Sequence, residues 1–149
     1  MDKNSNLVPA VCQIFCAPLG DVDTMAPAPD RFHRCVVLKS GKSWQQIYFT
    51  PGTAEFTEKP KDTDSGELIE QSLKCFFPGE DAANLAGFEA ITRRPLLVMI
   101  QFDTGWGKIM GDLGNGAKLA QTSQFSAKGS GSQLEFTCNA TYRACLVTP

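Results

Sequence analysis

Strict alternation of apolar and polar residues runs through two long stretches of this sequence. Between Glu67 and Phe77, every second residue from Ile69 is mainly apolar, and the residues between them are mostly polar. The same period of two runs from Leu134 to Leu146. Side chains alternate between the two faces of a β-strand, so this period predicts long strands with one buried face. A chain with these stretches is predicted to fold around β-sheets.

Further strands are predicted where short apolar runs meet turn residues. Cys35–Leu38 and Trp44–Phe49 flank a glycine-containing turn and predict a hairpin, and Pro95–Phe102 with Trp106–Met110 predicts a second. Lys118–Phe125 predicts a weaker strand. These segments are therefore predicted to be additional strands, and none of them is predicted to be a helix.

One helix is predicted, over Glu80–Thr92. Its apolar residues recur every three positions and form one stripe, and Pro95 prevents its continuation. Helices do not alternate with strands along the chain, so the sheets are expected to be antiparallel. The predicted fold class is mainly β, an antiparallel sandwich or barrel with one flanking helix near residues 80–92.

The domain organisation is predicted from the prolines and from the chain length. Residues 1–30 contain four prolines, and Met25–Pro29 is typical of an extended linker. We therefore interpret residues 1–30 as an extended N-terminal arm with at most one short strand near Val11. The chain has 149 residues, the size of one ordinary domain, so residues 31–149 are interpreted as a single β-rich domain.

Two polar segments are predicted to be loops. Thr57–Gly66 is polar throughout, and long loops in small domains often contact partners. Ser126–Ser132 is rich in serine and glycine and is predicted to be flexible. The arm and the Thr57–Gly66 segment are our candidate contacts between subunits.

The cysteines are predicted to be reduced. Six are present, which would suit a disulfide framework in a secreted chain. The N-terminus lacks the basic start and long apolar run of a signal peptide, so we expect free thiols. Cys75 and Cys138 lie within strand patterns and are predicted to pack as small buried hydrophobes.

Candidate metal ligands are Cys12, Cys16, His33 and Cys35. Zinc sites typically use tight pairs such as two cysteines separated by two residues. Here three residues separate the first pair and one separates the second, so the spacing does not favour zinc. No metal site and no cofactor are predicted, and an intracellular metal-binding protein is kept as an alternative.

Catalytic motifs are incomplete. Ser40–Ser43 resembles the end of a phosphate-binding loop, but Val36 stands where that motif requires glycine. A serine or cysteine hydrolase needs a histidine base, and His33 is the only histidine. Ser130 lies between glycines but outside the G-x-S-x-G frame. We therefore predict that the protein is not an enzyme and assign no catalytic residues.

The remaining candidates have simpler structural explanations. The carboxylate pairs Glu55 with Glu58 and Glu67 with Glu70 lie in or beside the polar loop and are expected to be solvated. Basic residues at a helix end usually interact with the helix dipole. Two tryptophans follow turns and fit either core packing or a contact patch. These basic residues and tryptophans are Arg93, Arg94, Trp44 and Trp106.

Charge and hydropathy exclude two further classes. The net charge is −2 and the pI is about 5.4, which does not suggest a nucleic-acid-binding protein. No apolar run approaches the length of a membrane-spanning helix.

A strand, an Asp-x-Gly turn and a returning strand that ends in glycine occupy Leu97–Asp112. A glycine-containing stretch follows over Gly114–Leu119, and a closing strand covers Leu134–Ala144. In this pattern, residues 94–147 resemble small structural proteins of bacteriophage and prophage tails. This sequence departs from the pattern before the closing strand, where Gly129–Ser132 replaces an Asp-x-Asn-Gly turn.

The resemblance implies a tail-tube fold of two packed β-sheets with one flanking helix. Such subunits form hexameric rings that stack into a tube conducting DNA, without bond chemistry. It implies a virion protein whose partners are copies of itself and other tail or neck proteins, with non-specific passage of DNA and no membrane. A phage neck or tail-completion protein, or a small β-sandwich binding module, are the alternatives. An enzyme of unrecognised type is a further one.

Overall fold

The computed structural model describes residues 10–27, 34–64, 66–79, 82–105, 107–111, 115–126, 129–140 and 145–147. Its strands are β1 (Val11–Pro18), β2 (Val22–Pro27), β3 (Arg34–Leu38), β4 (Gln45–Ile47), β5 (Glu55–Thr63), β6 (Gly66–Pro78), β7 (Leu96–Phe102), β8 (Gly107–Met110), β9 (Lys118–Ser126), β10 (Gly129–Ala140) and β11 (Cys145–Val147). A 3-10 turn covers Leu19–Asp21, and helix α1 covers Ala82–Thr92. The predicted class, mainly antiparallel β with one flanking helix, is confirmed for this described part of the chain.

The strands form three antiparallel sheets. A five-stranded sheet has the order β11-β8-β7-β1-β4, and a four-stranded sheet has the order β5-β6-β10-β9. Strands β2 and β3 pair only with each other among the described residues. The long apolar run over Leu96–Phe102 is β7, the middle strand of the five-stranded sheet, and its side chains are buried or half-buried on both faces.

The main core lies between the five-stranded and four-stranded sheets. Alternate residues of each strand point into it, as the period of two requires. The five-stranded sheet contributes residues such as Ile14, Val98 and Ile100, and the four-stranded sheet contributes Leu73, Leu134 and Phe136, all fully buried. Burial of each such side chain stabilises the fold by about 1.5–3 kcal/mol before entropy is counted. Helix α1 adds Phe88 and Ile91 to the same core.

A smaller core lies on the opposite face of the five-stranded sheet. Leu97 and Ile109 point away from the main core and pack with Val22 of β2. Half-buried residues of the β2–β3 hairpin and the neighbouring segments complete this cluster; they include Met25, Val36, Leu38 and Trp44. The β2–β3 hairpin is therefore a third layer.

The interpretation of residues 1–30 as an arm does not hold over Val11–Pro18. Strand β1 lies between β7 and β4, and Ile14, Cys16 and Ala17 are fully buried. The prolines do not exclude strands here because they stand at strand ends, Pro18 in β1 and Pro27 in β2, where the ladder loses little. Residues 1–9 and 28–33 lie outside the described residues.

The first predicted hairpin is wrong and the second is confirmed. Strand β3 pairs with β2, whereas β4 pairs with β1. The reason is that Trp44 packs in the smaller core while Ile47 packs in the main core, so this segment crosses between layers. Strands β7 and β8 do form a hairpin, with Gly105 in the left-handed region at φ 93°.

Both predicted polar loops contain strands. Thr57–Thr63 belongs to β5, which pairs with β6 through a tight turn closing at Thr63 and Gly66. Gly129–Ser132 opens β10, and Ser132 is fully buried. The predicted final strand is also divided: β10 ends at Ala140, and Cys145–Val147 pairs with β8 in the other sheet.

Candidate functional site

The outer face of the four-stranded sheet is mostly polar, with Leu68 and Phe76 of β6 as apolar exceptions. In one row across the ladder, neighbouring residues carry opposite charges: Glu55, Lys74 and Glu135 on β5, β6 and β10. Lys59 stands opposite Glu70 in another row. Such cross-strand pairs each contribute about 0.2–1 kcal/mol. The charged residues of this outer face are Glu55, Lys59, Lys61, Glu70, Lys74, Lys118 and Glu135.

Strand β5 forms one edge of this sheet, and its residues explain why it was predicted as a loop. Lys59, Pro60 and Lys61 occupy consecutive positions in the middle of the strand. Lysine and proline are common on edge strands because they discourage uncontrolled pairing with other chains. A polar sequence is therefore compatible with a strand at this position.

Glu58 points from β5 into the space between the two large sheets. Its Oε2 lies 3.7 Å from Nζ of Lys108 on β8, and its side chain is only 7% exposed. Nε2 of Gln71 donates to Glu58 Oε1 over 3.5 Å. The Lys108 ammonium also lies 6.0 Å from the centre of the Phe56 ring, at the limit of a cation–π contact. The four residues link β5 and β6 to the opposite sheet.

The amide oxygen of Gln71 is buried and has no hydrogen-bond partner among the described residues. Gln71 is 1% exposed and stands directly opposite Glu58 in the ladder. Burial of an unpaired amide oxygen costs about 1–3 kcal/mol. Gln71 is therefore a polar side chain buried in the main core, and its amide nitrogen donates to Glu58.

Strand β9 forms the other edge and lacks these protective features. Between Leu119 and Ser126 it has no charged residue and no proline. The C-terminal half of α1 lies next to β9, and an open groove of about 540 Å³ runs between them. The groove is lined by Glu89, Thr92, Leu119, Ala120, Gln121 and Ser123. An edge of this kind can accept another extended strand.

The structure places Cys16, Cys75 and Cys138 in the main core. The prediction that Cys75 and Cys138 are small buried hydrophobes is confirmed. Burial raises the pKa of the Cys16 and Cys75 thiols to about 12, so both remain protonated and are poor nucleophiles. Cys138 donates weakly to the backbone oxygen of Asn115 over 3.6 Å.

The candidate metal ligands are not brought together where they are described. Cys12 is exposed on β1 while Cys16 is buried, and no cluster of three or more histidine, cysteine or acidic residues occurs in the described part of the chain. His33 lies outside the described residues. Only the backbone of Cys35 is described, in register with Ala26 of β2.

The carboxylate, arginine and tryptophan candidates named from the sequence do not come together in one site among the described residues. The expectation that Glu58 is solvated is wrong because its side chain points between the sheets. Arg93 pairs with Glu89 across 3.8 Å on the exposed surface of α1. Trp44 packs in the smaller core, and Trp106 lies outside the described residues.

Sequence analysis missed the cluster of Glu58, Gln71 and Lys108. One signal was available: Gln71 occupies the apolar face of an otherwise alternating strand, between Ile69 and Leu73. A polar residue at such a position needs an inward-facing partner. The identity of that partner depends on a contact between two sheets, which no local pattern reveals.

Comparison with known protein families, with curated proteins and with solved structures gives no match for this chain. No helix in the described ranges is long and apolar enough to span a membrane. Function must therefore be argued from the surfaces described above.

Proposed function

We propose that this protein is a non-enzymatic structural subunit that assembles with copies of itself into rings, of the bacteriophage tail-tube type. One observation carries the proposal. The four-stranded sheet has a polar outer face and ends in two nine-residue strands, β5 and β9, with no further strand beside either among the described residues. The protein would be located in the virion, and its partners besides copies of itself would be other tail or neck proteins.

The strand directions of this sheet suit closure into a ring. Neighbouring strands are antiparallel throughout, so β5 and β9, at opposite ends of an even number of strands, run in opposite directions. Rotation about an axis roughly parallel to the strands brings β9 of one copy beside β5 of the next in antiparallel orientation. Such head-to-tail contacts generate closed rings when the rotation closes.

The dimensions of such a ring suit the passage of duplex DNA. Six four-stranded sheets at about 4.8 Å per strand give a circumference of about 115 Å and a backbone diameter of about 37 Å. Side chains that extend about 5 Å inward leave a channel of roughly 27 Å, and strand tilt widens it. The five-stranded sheet covers the opposite face, so the polar face would line the channel.

The charges of the polar face support a surface along which DNA passes rather than a surface that binds DNA. Lysines and glutamates alternate across it, so that it presents no large field of one sign. DNA affinity depends mainly on lysine and arginine contacts with phosphates. A mixed lining is expected to let DNA pass without holding it.

A second candidate, a small β-sandwich binding module, is favoured by one observation. Tyr48, which follows β4, is 73% exposed. Exposed tyrosines are frequent in recognition surfaces. This alternative predicts a monomer or dimer whose partner contacts Tyr48.

The proposal is tested by placing lysines on the β9 edge. Ala120 and Ser123 are both exposed on β9, and the matched control Thr137 is exposed on the outer face of β10, an interior strand of the sheet. We expect light scattering over a concentration series to give ring-sized particles for wild type and T137K, and monomers for A120K/S123K. Circular dichroism checks that all three are folded.

The outcomes separate the two candidates. A wild-type protein that stays monomeric at high concentration contradicts ring assembly and favours the binding module. Rings that persist unchanged in A120K/S123K contradict the β9 contact.

A further inference from the structure

Strand β5 has a sequence that specifies its own register only weakly. Its outer face carries Glu55, Thr57, Lys59 and Lys61, and its inner face carries Phe56, Glu58, Pro60 and Asp62, of which Phe56 packs against the main core. Because side chains alternate, a slip by one residue exchanges the two faces of a strand. Apolar patterning normally forbids such a slip, but in β5 that patterning rests on Phe56, which is only partly buried.

The position of Glu58 supplies a specific inward contact. Its carboxylate meets Lys108 of β8 and receives a hydrogen bond from Gln71 of β6. Gln71 is the residue directly opposite Glu58, and Lys108 belongs to the other sheet. The contact therefore fixes the position of β5 relative to two elements: β6, its neighbour in the ladder, and β8 in the opposite sheet.

Each one-residue slip removes this contact. In one direction Thr57 would stand opposite Gln71, and the carboxylate would be lost from between the sheets. In the other direction Lys59 would take the place of Glu58 and put a second ammonium group beside Lys108. Like charges at this separation in a shielded site repel strongly. The native register is thus the one that places a carboxylate beside Lys108.

We infer that Glu58 is a positioning residue that fixes the register of β5 through Lys108 and Gln71. In the ring proposed above, β5 is an assembly edge, so the same contact would set the alignment of the neighbouring copy; this second step rests on the proposed function.

The test measures register in a monomer, so that it does not depend on assembly. In the A120K/S123K background, E58K is compared with E55K, which makes the same charge change on the exposed outer face of the same strand. In E55K we expect NMR to show the same cross-strand proton contacts between Phe56 and Leu73 as in the protein with Glu55. In E58K we expect those contacts to be lost or a second set of β5 resonances to appear.

A milder variant covers the case in which E58K fails to fold. E58Q keeps the shape of the side chain, and we expect it to speed amide exchange in β5 by about tenfold or more, with less than about twofold change in E55Q. Retention of one native register in a folded E58K, or of wild-type β5 exchange in E58Q, would overturn the inference. A shifted register in E58K together with a wild-type chain that never assembles would leave it standing and reject the proposed ring.

Discussion

The ring of Phe88 on α1 meets the ring of Phe77 on β6 edge to face, with centroids 4.9 Å apart and planes at 84°. Both residues are buried, at 4% and 9% exposure. This contact joins the helix to the four-stranded sheet, beside the β9 edge that we propose for assembly. Aromatic pairs in this geometry contribute about 0.5–1.5 kcal/mol beyond the area they bury.

Truncation of Phe88 tests the role of the helix in the core. F88A is expected to lower the free energy of unfolding by about 3–5 kcal/mol, because it leaves a cavity and removes the aromatic contact. E89A, at an exposed neighbouring position, is expected to change it by less than about 0.5 kcal/mol. Urea titrations of both variants measure the difference. A loss below about 1 kcal/mol for F88A would contradict this packing.

The buried thiols predict a pH dependence of stability. The pKa of Cys16 and of Cys75 is raised by burial from 9.0 to about 12. Below pH 9 these thiols are protonated in both folded and unfolded chains; above it, only the unfolded chain releases their protons. Stability should therefore fall as the pH rises from about 9 towards 12, by up to about 1.4 kcal/mol per unit for each thiol.

Alanine variants isolate the contribution of the thiols. Urea unfolding at pH 8 and pH 10 should show a smaller loss of stability in C16A and C75A than in wild type. An equal loss in all variants would mean that these thiols do not cause the dependence.

Gly131 is expected to tolerate no side chain. A Cβ atom at this position would overlap the backbone oxygen of Phe77 and the ring of Phe76, whereas nothing lies within 4 Å of a Cβ atom at Gly20. G131A should destabilise the protein by about 1–3 kcal/mol, in the range of overpacked cores, while G20A stays within about 1 kcal/mol of wild type. Thermal or urea unfolding distinguishes them, and equal stabilities would show that β10 does not approach β6 this closely.

Sequence patterns predicted the elements whose signals are local. The alternation of Ile69, Leu73 and Cys75 gave β6, the apolar stripe gave α1, and Gly105 gave the β7–β8 hairpin. Each of these features depends on residues close together in the chain. The fold class followed from them.

Features that depend on distant contacts were not predictable in the same way. Pro60 and its flanking lysines indicated a loop, because an edge strand and a solvated loop have similar compositions. Strand β1 lies between two strands that are distant in sequence, β7 and β4, and its own residues, which end in Pro18, do not reveal that pairing. The Glu58–Lys108 pair joins residues of two sheets, and only the tertiary fold brings them together.

The mixed charges of the polar sheet face predict weak DNA binding. Fluorescence anisotropy with a labelled duplex at about 150 mM salt should detect no binding at micromolar protein concentrations, because the face presents no cationic field. A charge-shifted variant, E70K/E135K, should bind measurably more tightly. Tight binding by the wild-type protein would contradict a channel that conducts DNA freely.

The most direct measurement is negative-stain electron microscopy of the purified protein at high concentration. We predict rings of uniform diameter with an open centre, some stacked into short tubes, and their loss in A120K/S123K. A field of single particles the size of one 16.2 kDa chain would contradict the claim that this protein assembles with itself.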